Sequence, residues 1–162
     1  MPDQKWEKGF TLIEIISVLI VLSIVSVVMV SRITSTADVS IKVKAETLKS
    51  HIRYVQMRAM NDDADKSVIP ACSASFGISM SGSSYFMFRN CNKTLKIILP
   101  GANAVDVPLT NMTLSPSTDV TFDKWGRPCS DLNGLTPYNA DINLTLGGTE
   151  PIKITKNTGY VP

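Results

Sequence analysis

At 162 residues, the chain has room for one modest domain and an additional segment, but not for two full cores. Its formal net charge of +2 excludes a strong polyanion-binding bias, and its single histidine leaves a thin inventory for catalysis.

The first nine residues, MPDQKWEKG, are short and hydrophilic. Lys5 and Lys8 favour a cytoplasmic N-terminus and send everything after Arg32 outward. Losing residues 1–9 would remove Lys5 and Lys8 together with Asp3 and Glu7, so the charge would stay at +2. From Ile15 to Ser31 there is no charged residue, yet Glu14 stands at the start of this apolar run. A carboxylate in hydrocarbon costs roughly 2.5–3.5 kcal/mol at a helix centre, and somewhat less near an end. A cut between Gly9 and Phe10 would supply a compensating charge, because the new α-amino group at Phe10 lies four residues before Glu14. The pair could close within one chain or between chains shifted by one helical turn.

Gly9-Phe10-Thr11-Leu12-Ile13-Glu14, preceded by Lys8 and followed by an unbroken apolar helix, resembles the processing motif of type IV prepilins and type II secretion pseudopilins. The resemblance implies that a prepilin peptidase of the inner membrane cuts after Gly9 and methylates the new N-terminal Phe10, while Glu14 guides assembly into a helical filament. A secretory signal peptide fits less well, since its apolar region spans roughly 7–15 residues and Met29-Val30-Ser31-Arg32 is a poor cleavage site. A plain signal anchor explains the length of the run but leaves Glu14 without a role.

From Phe10 to about Met60 there is neither proline nor glycine, which predicts a helix on the order of 75 Å long. Residues 10–31 would form the transmembrane or filament-core half, reaching the roughly 20 residues that a bilayer needs. Residues 32–61 would form an amphipathic half. There Ala37, Ile41, Ala45, Leu48, Ile52, Val55 and Ala59 recur at steps of three and four, one face packed against a sheet. Lys42, Lys44, Lys49, Arg53 and Arg58 make a solvated basic face. The helix should end near Asn61-Asp62-Asp63.

Residues 62–162 are expected to be a β-rich periplasmic domain. Short β-forming segments fall at 75–80, 85–89, 95–99, 105–109, 120–122, 142–146 and 152–155, separated by clusters of Gly, Pro, Asn or Ser. A final hairpin is expected from Ile152-Lys153-Ile154 to Thr158-Gly159-Tyr160-Val161. Outside the inner membrane, disulfides persist. A hairpin centred on the Ser81–Gly82 bond would set Cys72 opposite Cys91, which makes Cys72–Cys91 the first candidate bridge and Cys91–Cys129 the second.

Phe122-Asp123-Lys124-Trp125-Gly126-Arg127-Pro128 and the Gly-containing terminal strand are similar to the group of minor pseudopilin H, FimT and the MSHA minor pilins. Many major pilins carry a mid-helix proline and this chain has none, which again favours a minor subunit or pseudopilin.

Other constellations are weaker. His51, between Leu48 and Ile52, is expected on the helix surface rather than as a general base. Asp62, Asp63 and Asp65 offer oxygens of the kind calcium takes, but the segment lacks the Gly and distal Glu of an EF-hand, and no CxxC spacing suggests zinc. Residues 32–60 carry six basic and two acidic side chains, whereas residues 61–162 carry eight and nine, so DNA binding is only a lesser alternative. The expectation is an α+β, type IV pilin-like fold: a non-enzymatic, cofactor-free minor pilin or pseudopilin whose partners are the peptidase, the inner membrane and other pilins. The alternative is a membrane-anchored module of the same fold that captures DNA or a secreted substrate.

Overall fold

The computed structural model describes residues 9–61, 72, 76–148 and 151–162, with the side chains of 28–38 left out. Asp62, Asp63 and Asp65 of the expected acidic loop lie outside the described residues. The chain divides into two compact units, residues 1–40 and 41–162.

One helix, α1, runs from Leu12 to Asn61, 50 residues without a proline or glycine. In the first unit the large apolar side chains from Leu12 to Val27 are all exposed. The serine hydroxyls between them bond back to the helix: Ser17 to the Glu14 carbonyl at 2.8 Å, Ser23 to that of Leu19 at 2.8 Å and Ser26 to that of Leu22 at 2.7 Å. Each hydroxyl is thereby satisfied without water. Among the described residues no helix is long and apolar enough to cross a membrane.

In the second unit α1 lays down the expected stripe. Ala45, Leu48, Ile52, Val55 and Ala59 are buried and Ile41 is half-buried; the side chain of Ala37 lies outside the described residues. The stripe shares one core with two antiparallel sheets. Strands β1 (Phe76–Met80), β2 (Ser84–Arg89), β3 (Asn92–Ile97), β4 (Val107–Pro108), β6 (Thr118–Phe122) and β7 (Pro128–Cys129) form the larger sheet in the order β3-β2-β1-β6-β7, with β4 also on β2. Strands β5 (Leu114–Ser115), β8 (Ile142–Leu146) and β9 (Ile152–Ile154) form the smaller one in the order β5-β8-β9. Ile142, Leu144 and Leu146 alternate buried with exposed Asn143 and Thr145, which is how a strand covers a core with one face only. The observed class is therefore α+β with antiparallel sheets.

Three features depart from the sequence reading. The β1–β2 hairpin pairs Met80 with Tyr85 and Phe76 with Arg89, so its centre falls between Gly82 and Ser83, one residue later than expected. Cys91 is consequently not opposite Cys72 in the ladder. It sits in the two-residue β2–β3 turn with Asn90, both at positive φ (54° and 56°), the conformation that a tight hairpin with matching twist requires. From there Cys91 forms the disulfide with Cys72, the Cα atoms 5.8 Å apart. The expected terminal hairpin is also displaced. β9 pairs with β8 across Gly147-Gly148, and residues 155–160 fold into a turn in which Thr155 donates to the Tyr160 carbonyl at 3.0 Å. Beyond that turn Arg53 of α1 donates twice to the Val161 carbonyl, from Nε at 3.0 Å and Nη2 at 2.9 Å.

Candidate functional site

At the N-terminal end, Gly9 and Phe10 precede the helix and are exposed, Phe10 by 80%. Thr11 stays outside α1 while its carbonyl accepts the amides of Glu14 at 3.1 Å and Ile15 at 3.3 Å. Thr11-Leu12-Ile13-Glu14 has the spacing of a capping box, yet the Glu14 side chain does not reach back to Thr11. Among the described residues its carboxylate makes no hydrogen bond or ion pair within the chain. Phe10, Glu14, Ile15, Val18 and Leu19 line a groove of about 350 Å³, apolar except for that carboxylate. Phe10, just before the helix, and Glu14, in its first turn, thus line the same groove.

A second constellation lies wholly in the β-rich unit. After β6 the chain turns through Asp123-Lys124-Trp125-Gly126-Arg127 into β7. The buried Asp123 carboxylate organises this loop by accepting the Trp125 amide at 2.9 Å, the Arg127 amide at 2.8 Å and the Arg127 Nε–H at 2.7 Å. Such charge-assisted bonds to a buried acceptor hold a loop firmly. With the backbone fixed, Trp125 is left 69% exposed. Gln56 of α1 then joins this loop to the C-terminal turn, its Nε2 donating to the Gly126 carbonyl at 2.9 Å and to that of Thr158 at 2.6 Å. Between the two, Trp125, Arg127, Asn157 and Thr158 line an open cleft of about 420 Å³. The sequence reading quoted the Trp125 loop only for its resemblance. It missed Asn157 and Gln56, for which periodicity carried no signal beyond polarity.

His51 corrects an expectation. It is buried rather than on the helix surface, and it bridges Tyr85 and Pro100. The Pro100 carbonyl can only accept, at 3.0 Å from Nε2, so Nε2 carries the proton in the neutral ring and Nδ1 accepts from the Tyr85 hydroxyl at 2.8 Å. Burial pushes the Tyr85 hydroxyl up to about 12, which keeps it a donor. Both ring nitrogens are therefore spent on packing α1 against β2 and the loop after β3.

Cys129, the third cysteine, is free and buried. Burial, and then the Asp123 and Asp131 carboxylates, push its thiol up to about 11. Since the folded value lies above the unfolded one, the stability linked to the neutral thiol is complete below about pH 9 and lost as pH rises through about 11. Native protein at pH 8 should accordingly resist iodoacetamide while urea-unfolded protein is labelled at once. Rapid labelling of the native form, read by intact mass, would contradict the burial. No group of three or more His, Cys, Asp or Glu side chains among the described residues could hold a metal ion.

Fold and site together define an α+β chain whose helix begins with an exposed apolar surface around one unpaired carboxylate and ends in a disulfide-bonded, antiparallel β-rich unit. Comparison with protein-family models, with curated proteins and with solved structures finds no match to the chain.

Proposed function

We propose that this chain is a pilin-like filament subunit, a minor pilin of a type IV pilus, with the MSHA class among the candidates, or a pseudopilin of type II secretion. In this reading prepilin peptidase cuts between Gly9 and Phe10 and methylates Phe10. The apolar part of α1 anchors the subunit in the inner membrane with the β-rich unit on the periplasmic side. The subunit then moves into a filament of like helices and carries out no chemistry itself.

The observation that supports this reading most is the unpaired Glu14 in an otherwise self-satisfied apolar surface. Between Leu12 and Val27 the serine hydroxyls bond to their own helix, so Glu14 is the one polar side chain there still lacking a partner among the described residues. Moving apolar side chains from lipid to a bundle of helices gains little, whereas pairing this carboxylate with a neighbour's Phe10 amine relieves a burial cost somewhat below the roughly 2.5–3.5 kcal/mol of a helix centre. That pairing gives assembly a direction and an axial register.

Intact-mass analysis of protein recovered from its native host tests the reading. A chain starting at Phe10 with one added methyl group supports it; a chain retaining Met1, or cut near Ser31, overturns it. Glu14→Leu should leave processing and membrane insertion intact while removing the subunit from sheared filaments, as seen by immunoblot. Normal incorporation of this variant would strip Glu14 of the assigned role.

A further inference from the structure

We propose that the cleft between the Asp123–Arg127 loop and the Asn157–Thr158 turn is a binding site for a carboxylate-bearing sugar ring, such as a uronic acid residue of an acidic glycan. This goes beyond the filament reading and does not depend on it. Four observations carry the inference.

The walls are fixed before any ligand arrives. Asp123 holds one loop through three hydrogen bonds, the Thr155 and Thr158 hydroxyls hold the other turn at 2.7 Å from each other, and Gln56 ties both to α1. The exposure of Trp125 is therefore built in and does not reflect a slack loop. An indole left in water by a rigid frame is an apolar face of the kind on which the C–H side of a pyranose packs.

The free polar groups of the cleft are mostly donors. Among the described residues the Trp125 indole N–H, the terminal guanidinium nitrogens of Arg127 and the Asn157 side-chain amide have no partner within the chain. Such a set matches a ligand rich in acceptors, with the planar guanidinium suited to a carboxylate and the amide, both donor and acceptor, suited to a hydroxyl.

The local charge is unbalanced. Lys124 lies over the indole ring with Nζ 5.2 Å from its centroid and forms no ion pair among the described residues, while Arg127 shares the only carboxylate of the loop, Asp123. Two cations against one engaged anion favour a ligand carrying one negative charge.

Size and surroundings select the class. A volume of about 420 Å³ falls within the roughly 300–1,000 Å³ of small-molecule sites. A nucleic acid strand would need a continued basic track, yet residues 61–162 carry eight basic and nine acidic side chains. An acidic peptide would use the cations but leave the indole face and the Asn157 amide without a task.

The test uses the full chain in detergent micelles with Trp6→Phe, so that Trp125 is the single indole reporter of the two tryptophans. The probes are methyl β-D-glucuronide, methyl β-D-glucoside and an acetylated tetraglutamate peptide. Saturable change in indole fluorescence is expected with the glucuronide, and about tenfold weaker binding with the glucoside, the scale of one lost charge-assisted hydrogen bond. Asn157→Ala should weaken glucuronide binding by roughly threefold to tenfold with an unchanged melting temperature. Trp125→Ala should abolish binding when it is followed by calorimetry. Three results overturn the proposal: no saturation with the glucuronide, equal affinity for glucuronide and glucoside, or tetraglutamate binding that matches the glucuronide and falls with Asn157→Ala. The last would identify an acidic peptide as the occupant.

Discussion

Replacing Gly159 with alanine is expected to lower the unfolding free energy by about 2–4 kcal/mol, one of the largest single-residue effects in the domain. Two costs combine. Gly159 has φ +63°, where an L side chain is strained, and a Cβ there would press on the Gly126 carbonyl, on Gln56 Nε2 at 2.6 Å and on Phe122 Cε1 at 3.0 Å. The first of these is backbone and cannot rotate away. The C-terminal turn would have to lift off the Asp123–Arg127 loop, breaking the Gln56 bridge that joins them. For a domain of this size such a loss lowers the melting temperature by roughly 6–16 °C. Thermal unfolding followed by circular dichroism checks it, and a shift below about 2 °C would mean that the two loops part without cost.

Ile52→Ala should cost a comparable amount, about 2–5 kcal/mol, for a different reason. Ile52 is 0% exposed and stands midway along the stripe between Leu48 and Val55, where the helix and both sheets meet in one core. Truncation leaves a cavity that the close-packed core around it can fill only in part. Urea unfolding should show a lower midpoint with an unchanged slope. Ile41→Ala, at the half-buried end of the stripe, provides the comparison and should cost clearly less. Equal losses at the two sites would show that depth in this core does not govern stability.

The stripe was legible in the sequence because its physical cause is periodic. A helix with one buried face must repeat its apolar residues every three or four positions, and nothing between Phe10 and Met60 competes with helix formation. β8 was legible for the corresponding reason, its alternation of Ile142, Leu144 and Leu146 with polar neighbours. β5 and β7 went unread because each is two residues long, with Pro128 in one of them, and such pieces are set by the strands they meet rather than by their own composition. β3 was placed three residues late because its turn, Asn90-Cys91, carries no glycine, the usual mark of positive φ at both positions. His51 was misplaced because a polar residue flanking an apolar stripe looks solvated until tertiary partners such as Tyr85 and the Pro100 carbonyl are known. At the candidate sites, the sequence exposed the anomaly of Glu14 but not the Trp125 cleft, which joins residues more than thirty positions apart.

The Arg53 clasp on Val161 sets an order of events during synthesis. The two residues are 108 positions apart, so the contact closes only after nearly the whole β-rich unit has emerged. At about 5–20 residues per second the intervening stretch takes roughly 5–20 s to make, and for that time Leu48, Ile52 and Val55 wait without their finished covering. Non-local closure of this kind slows folding relative to helix formation. The nascent chain therefore carries a formed but sticky helix ahead of an unfinished sheet, and escape from aggregation depends on what shelters that helix until Val161 arrives.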